Sequence, residues 1–308
     1  MGPIIRIFGV TIAAVLVAAG PAAAALDVQK VADGVYALVG PLEQRNAENL
    51  GNNATFGAVV TNDGVVLIDS GGSAAGAQEI EEALATVTDQ PVRLVINSGG
   101  QDHRWFGNGW FRDQGARIIA AEAAVADHAS RLDDQFATMR AMVGEATLKG
   151  TTPVTASETF DDALDLTHGG VRFELWMVGP AHTPGDTIVW LPESRVVFAG
   201  DVVYMDRMLG VGPQSDSRHW LEAFERIIAL EPVIVVPGHG APAPLSKARA
   251  ETYDYLRHLR AEVGKVIEAN GDEVAATKVD QSPFAHLAVF TEISGRNAQQ
   301  VFMQMEWE

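Results

Sequence analysis

Three short segments each place a potential metal ligand directly after an apolar run that reads as a buried strand. The first is Ile96-Asn-Ser-Gly-Gly-Gln-Asp-His103. The second is Gly179-Pro-Ala-His182-Thr-Pro-Gly-Asp186, with Ala199-Gly-Asp201 close behind, and the third is Pro237-Gly-His239-Gly. Strand ends are rigid platforms, and the loops beyond them are open to a substrate. The chain has no cysteine, so no thiolate nucleophile, disulfide framework or Cys-ligated metal is available. Imidazole and carboxylate donors then favour zinc, iron or manganese. Each histidine taken alone is more often packed or solvated than ligating. It is the recurrence of strand, His-x-x-Gly-Asp, strand, Gly-Asp, strand, Pro-Gly-His-Gly that points to a metal centre.

That pattern resembles the metallo-β-lactamase superfamily, and the resemblance covers roughly residues 30–265. It implies an α/β (α+β) fold, a four-layer αββα sandwich in which two sheets pack face to face between outer helices, with the metal site along one edge. Members usually hold two ions. The resemblance makes His182 a ligand of the first ion, Asp201 the bridging carboxylate and His239 a ligand of the second. It gives Asp69 a supporting role through hydrogen bonds. The first segment departs from the family's His-x-His-x-Asp-His signature. Asn97-Ser98 is present, but Gly99, Gly100, Gln101, Asp102 and His103 follow. With a one-residue deletion, Asp102-His103 matches the Asp-His half of the signature. Without it, Asn97 and Asn108 keep the family spacing, and Asp102 and His103 fall one place out of register.

On the first alignment, Asp102, His103, Asp201 and His239 form a four-ligand set for one Zn2+, with Fe or Mn as other candidates and His182 nearby. Gln101 is then placed to add an oxygen or hold a water. An open zinc position brings the pKa of bound water to about 7, so that a metal-bound hydroxide is available as nucleophile. Asp102 can instead stay off the metal as the catalytic general base. Restoring histidines at Gly99 and Gln101 is expected to raise metal content. His128, His219, His258 and His286 read as solvated, and His168 as a turn residue. Trp105, Phe106 and Trp110 read as core or lip residues. Arg207, just after Asp201, is a candidate for binding a substrate carboxylate.

The elements that must position these residues are short strands alternating with helices. Gly34–Gly40, Phe56–Thr61, Val65–Asp69 and Pro91–Asn97 read as strands, with a hairpin turn at Asn62-Asp-Gly. A helix covers Ala74–Val87 with Ser73 as N-cap. The theme returns in strands at Val171–Val178, Thr187–Leu191, Arg195–Asp201 and Val233–Val236, with an amphipathic helix at 218–230. Thr61–Asp69 and Pro192–Asp201 share the order turn, apolar strand, terminal Asp, which suggests two pseudo-equivalent halves. A long helix runs from Ser246 to about Asn270, and smaller helices follow. The expected organisation is therefore a signal peptide at 1–25, a main domain at 26–265 and a helical appendage at 266–308 packed on that domain.

Arg6, the apolar run from Ile7 to Ala19 and the small residues Ala22–Ala25 have the order of a secretory signal peptide, cleaved just before Leu26 or one residue earlier. The apolar run is shorter than the roughly 20 residues that span a bilayer. The mature protein is thus expected to be periplasmic or secreted, with no membrane attachment. Loss of Arg6 leaves 21 basic against 40 acidic side chains, a net charge of −19, which repels nucleic acid and anionic lipid. The expected partner is a small-molecule substrate, and the oligomeric state stays open. Two functions fit these residues. One is an exported metal-dependent hydrolase acting on an ester, thioester, amide or lactam carbonyl. The other is a non-catalytic metal-binding or accessory protein that keeps the fold with a degraded metal site.

Overall fold

The strands between residues 27 and 68 alternate or run apolar over a few residues and are divided by tight turns, so they pair into a meander. A computed structural model describes Gly2 and residues 26–308; the rest of the segment read as a signal peptide lies outside the described residues. The first sheet has seven strands in sequence order: β1 Asp27–Ala32, β2 Val35–Val39, β3 Thr55–Thr61, β4 Gly64–Ile68, β5 Val92–Ile96, β6 Arg117–Ala121 and β7 Glu158–Phe160. Its first four strands are antiparallel and its last pairings are parallel. The second sheet has the order β12-β11-β10-β9-β8 and is built from β8 Ala163–His168, β9 Val171–Met177, β10 Thr187–Leu191, β11 Val196–Phe198 and β12 Ile234–Val236.

Alternation along the second sheet explains the layering. Val189, Leu191, Val196, Phe198 and Val236 turn toward the first sheet and share a core with Phe56, Val66 and Ile68. Their neighbours Ile188, Trp190, Val197 and Val235 face the other way, into a second core. The first sheet is covered by α1 Ala74–Leu84, α2 Asp102–Trp105, α3 Asn108–Asp113 and α4 Glu122–Leu148, the last broken at Gly144. The second is covered by α5 Ser217–Leu230, α6 Leu245–Ala248, α7 Asp254–Glu268, α8 Glu273–Ala276 and α9 Phe290–Met305, with a π-helical turn at Arg249–Tyr253 leading into α7. The four-layer αββα sandwich expected from the sequence is the architecture observed. The two halves also correspond. Each has an antiparallel pair (β3–β4, β10–β11) whose second strand crosses through one helix (α1, α5) to a parallel neighbour (β5, β12).

Ser73 caps α1 as its sequence suggests, its hydroxyl accepting from the Gly76 N–H at 2.9 Å. The C-terminal residues do more than pack. Ile293, Ala298, Val301 and Phe302 of α9 share the second core with Trp220 and Leu256. From the same helix, Asn297 accepts from the Val211 N–H (2.9 Å) and donates to the Leu209 carbonyl (2.7 Å), fixing a loop that borders the site. Among the described residues, no helix is long and apolar enough to cross a membrane.

Candidate metal centre

The paired halves bring their strand ends to one edge. Asp69 follows β4, Asn97 follows β5, Asp201 lies in the turn after β11, and His239 follows β12. His103 reaches the same point from α2. Ligand atoms of His103, Asp201 and His239 all lie within 4.8 Å of one another, and all three residues are buried. His103 Nε2 is 3.4 Å from Asp201 Oδ2, and His239 Nε2 is 3.4 Å from Asp201 Oδ1. His239 Nδ1 is hydrogen-bonded to the Asn53 carbonyl at 2.7 Å, which puts the proton there and turns the Nε2 lone pair toward Asp201. Both ring nitrogens of His103 are buried without a well-formed hydrogen bond, Nδ1 lying 3.3 Å from Asp102 Oδ1 and Nε2 3.4 Å from Asp201 Oδ2. Orphaned buried imidazole nitrogens are costly, and a divalent ion between the three residues would satisfy one of them. The donor set, two nitrogens and one carboxylate oxygen, suits zinc or a similar borderline ion.

Asp102 and His182 stand outside this trio. Asp102 is wholly buried, but its Oδ1 accepts from the Arg45 guanidinium and from the His103 N–H. Burial opposes ionisation, yet Arg45 and then His103 outweigh it and bring the Asp102 carboxyl down to about 2. His182 lies on the cavity wall, its Nδ1 held by the Gly210 carbonyl at 3.0 Å, and burial lowers its pKa to about 4. Asn97 and Asn108 exchange hydrogen bonds of 3.0 and 2.8 Å. Of the altered segment, His103 alone joins Asp201 and His239 in the trio.

Gly99 and Gly100 are where the structure corrects the sequence reading most sharply. A Cβ on Gly99 would lie 2.6 Å from Asp186 Oδ1, and one on Gly100 would lie 1.9 Å from Asp127 Oδ2. The two residues are knitted in place through their backbone. The Gly100 N–H donates to Thr183 Oγ1 (3.0 Å), and its carbonyl accepts from Arg131 (3.1 Å) and Gln135 (2.8 Å). The Gly99 carbonyl is 3.0 Å from His128 Nε2. Histidine restored at residue 99 has no room. We expect Gly99→His to destabilise the fold by about 1–3 kcal/mol, the usual cost of overpacking, and to leave metal content unraised. Urea unfolding and elemental analysis measure the two quantities.

His128 is likewise not solvated. It is fully buried, stacked on Trp105 with ring centroids 4.3 Å apart, and burial lowers its pKa to about 4. Trp105 and Phe106 form a small core with Met139, Val143 and Leu148 of α4 and do not line the cavity. The unfolded chain takes up a proton on His128 near pH 6.5, whereas the folded chain resists until about pH 4. The stability advantage of the wild type over His128→Gln should therefore shrink as pH falls from 6.5 to 4, by at most about 1.4 kcal/mol per pH unit. Unfolding titrations across that range test the sign.

The residue that sequence reasoning overlooked is Arg104. It is fully buried and uses all five N–H groups. Nε and Nη2 clasp Asp201 at 3.0 and 2.7 Å, Nη1 reaches Asp69 at 3.0 Å and the Thr55 carbonyl at 3.1 Å, and Nη2 also reaches the Gly238 carbonyl at 2.9 Å. Gly238 permits this approach, since a Cβ there would lie 2.6 Å from Arg104 Nη2. Burial alone would raise the Asp201 carboxyl, but Arg104 and then His103 outweigh it and hold it well below the ordinary range. Asp69 accepts from the Ser98 N–H and hydroxyl, each at 2.7 Å. It thus ties the β5 loop and Arg104 to the strand end.

Residues 51–239, more than half the chain, match the metallo-beta-lactamase superfamily. The chain belongs to that superfamily. A metallo-beta-lactamase from Pontibacter korlensis superposes with a TM-score of 0.60 at 21% identity, covering 75% of this chain and 99% of that one. The stereoselective inverting sec-alkylsulfatase Pisa1 from Pseudomonas sp. superposes with a TM-score of 0.72 at 15% identity, covering 91% of this chain and 50% of that one. At such identities the likeness is one of fold. In sequence, the chain is similar to the 2,4-dinitroanisole O-demethylase subunit alpha of Nocardioides sp. (strain JS1661), 26% identical over 185 residues. That match spans 59% of this chain and about half (51%) of the relative. Superfamily members bind metal ions, and here the His103–Asp201–His239 group is the one able to hold an ion among the described residues.

Proposed function

We propose that this protein is an exported hydrolase acting on an ester, thioester, amide or lactam carbonyl with one tightly held divalent ion, zinc foremost. The observation that carries the reading is the pair of orphaned His103 ring nitrogens beside Asp201 and His239. His103 and His239 border a cavity of about 160 Å³ that is also lined by Gln101 and His182. When bound, such an ion acidifies a coordinated water and polarises an oxygen of the substrate. The chain's own groups prepare that chemistry. Arg104 takes one acceptor site on each Asp201 oxygen and fixes the carboxylate plane, leaving the remaining lone pairs toward His103 and His239. His182 offers a second imidazole on the cavity wall, oriented through its Nδ1 contact with Gly210. The relative found in sequence, an O-demethylase subunit, supports reading this chain as an enzyme. Export rests on the signal-like residues 1–25.

One observation favours the accessory reading. Asp201 is already charge-balanced by Arg104, so the trio is less electron-rich than an unpaired carboxylate would make it. Assay of the mature protein against a panel of ester, thioester and lactam substrates separates the two. Hydrolysis should rise with bound zinc, disappear on chelation and return on reconstitution. Protein carrying a full equivalent of metal and cleaving nothing in the panel would establish the accessory reading.

A further inference from the structure

The cavity is rich in guanidinium groups although the chain carries a net charge of −18. Arg45, Arg207 and Arg296 all line it, and they differ in what balances them. Arg45 is paired with Asp102. Arg207 is 5% exposed and has no carboxylate within ion-pair distance among the described residues. Its Nε donates to the Leu42 carbonyl at 2.8 Å, Nη2 to Gln44 Oε1 at 3.0 Å, and Nη1 to the Met208 carbonyl at 3.4 Å. All three acceptors are neutral, and two of its five N–H groups stay uncommitted. Asp201, and less so Glu292, exposed on α9, act on it only from beyond ion-pair distance. Burial lowers the Arg207 pKa from its ordinary value, but a guanidinium stays charged at any physiological pH. Arg296, exposed on α9, also makes no ion pair and stands at the cavity's edge.

A buried, permanently charged group without a counter-ion is expensive unless its partner arrives with a ligand. We propose that the cavity takes an anionic substrate, whose carboxylate or tetrahedral oxyanion sits on the free N–H groups of Arg207 with Arg296 at the entrance. The proposal rests on the reading of this cavity as the substrate site and names the class of molecule it accepts. The planar fork suits either anion geometry. A localised positive cavity in an acidic chain also selects small anions over extended polyanions, which the rest of the surface repels.

Calorimetric titration of the full chain with acetate, inorganic sulfate and inorganic phosphate tests this without any hydrolysis. At least one should bind saturably at one site. Arg207→Gln should weaken it about tenfold or more, as loss of a charge-assisted contact does. Arg296→Gln, at an exposed position that leaves folding undisturbed, should weaken it about two- to fivefold, and His103→Ala should leave it intact. Preference for acetate assigns a carboxylate, and preference for sulfate or phosphate a tetrahedral group. Binding lost in His103→Ala but kept in Arg207→Gln would place the anion on the metal and overturn the proposal, as would no saturable binding of any probe. Anion binding in a protein that hydrolyses nothing leaves this inference standing and removes the hydrolase reading alone.

Discussion

Replacing Arg104 by methionine should lower the unfolding free energy by about 3–5 kcal/mol, the largest stability effect expected of any single change near the site. The side chain pairs with Asp201 and Asp69 together, both about 1% exposed. Its removal leaves two buried carboxylates facing each other and the Thr55 carbonyl unpaired, while the Gly238 carbonyl keeps only the Thr55 N–H. Since a domain's whole stability is about 5–15 kcal/mol, such a loss consumes much of it. Arg104→Lys should recover little, because an ammonium cannot reach four acceptor groups that a planar fork meets at once. Adding Asp201→Asn to Arg104→Met should restore part of the loss by removing one stranded charge. Urea unfolding of the three variants is the measurement. A loss below about 1 kcal/mol for Arg104→Met would mean that water or a metal ion readily replaces the guanidinium.

Metal retention should depend on His103 and His239 and not on Asp102. Purified wild-type protein should keep close to one equivalent of divalent ion through exhaustive dialysis, because the described residues assemble one ligand trio. His103→Ala and His239→Ala each leave two protein ligands, and affinity should fall by more than the 10–100-fold that loss of a mere supporting contact costs. Asp102→Asn should retain the ion, because that carboxylate stands outside the trio and its Oδ1 is taken by Arg45 and the His103 N–H. Elemental analysis after dialysis reads all four proteins. Metal loss in Asp102→Asn equal to that in His103→Ala would restore Asp102 to the ligand set and show that the segment shifts when loaded. Two equivalents in the wild type would contradict the trio as the whole of the site.

The strand-end placement of Asp69, Asp201 and His239 was legible in the sequence, because each follows an apolar run closed by a turn, and such runs are local signals. The same holds for Ser73 as a cap and for the repeated strand–helix–strand halves. The long helix α4 had no clear signature. Its buried face includes Asp127, His128 and Gln135, which interrupt the apolar stripe by which helices are recognised; His128 and Gln135 grip the Gly99–Gly100 backbone, as does Arg131, which Asp127 holds. Which of Asp102 and His103 faces the centre was a matter of one residue of register, and the composition of the segment is the same either way. Only the packing of α2 against Asp201 and Arg45 distinguishes them. Arg104 illustrates the limit best. Its acceptors lie 35, 49, 97 and 134 residues away along the chain. No local pattern marks such a residue, since its role exists only once two sheets have met and brought two buried carboxylates and two carbonyls around one guanidinium.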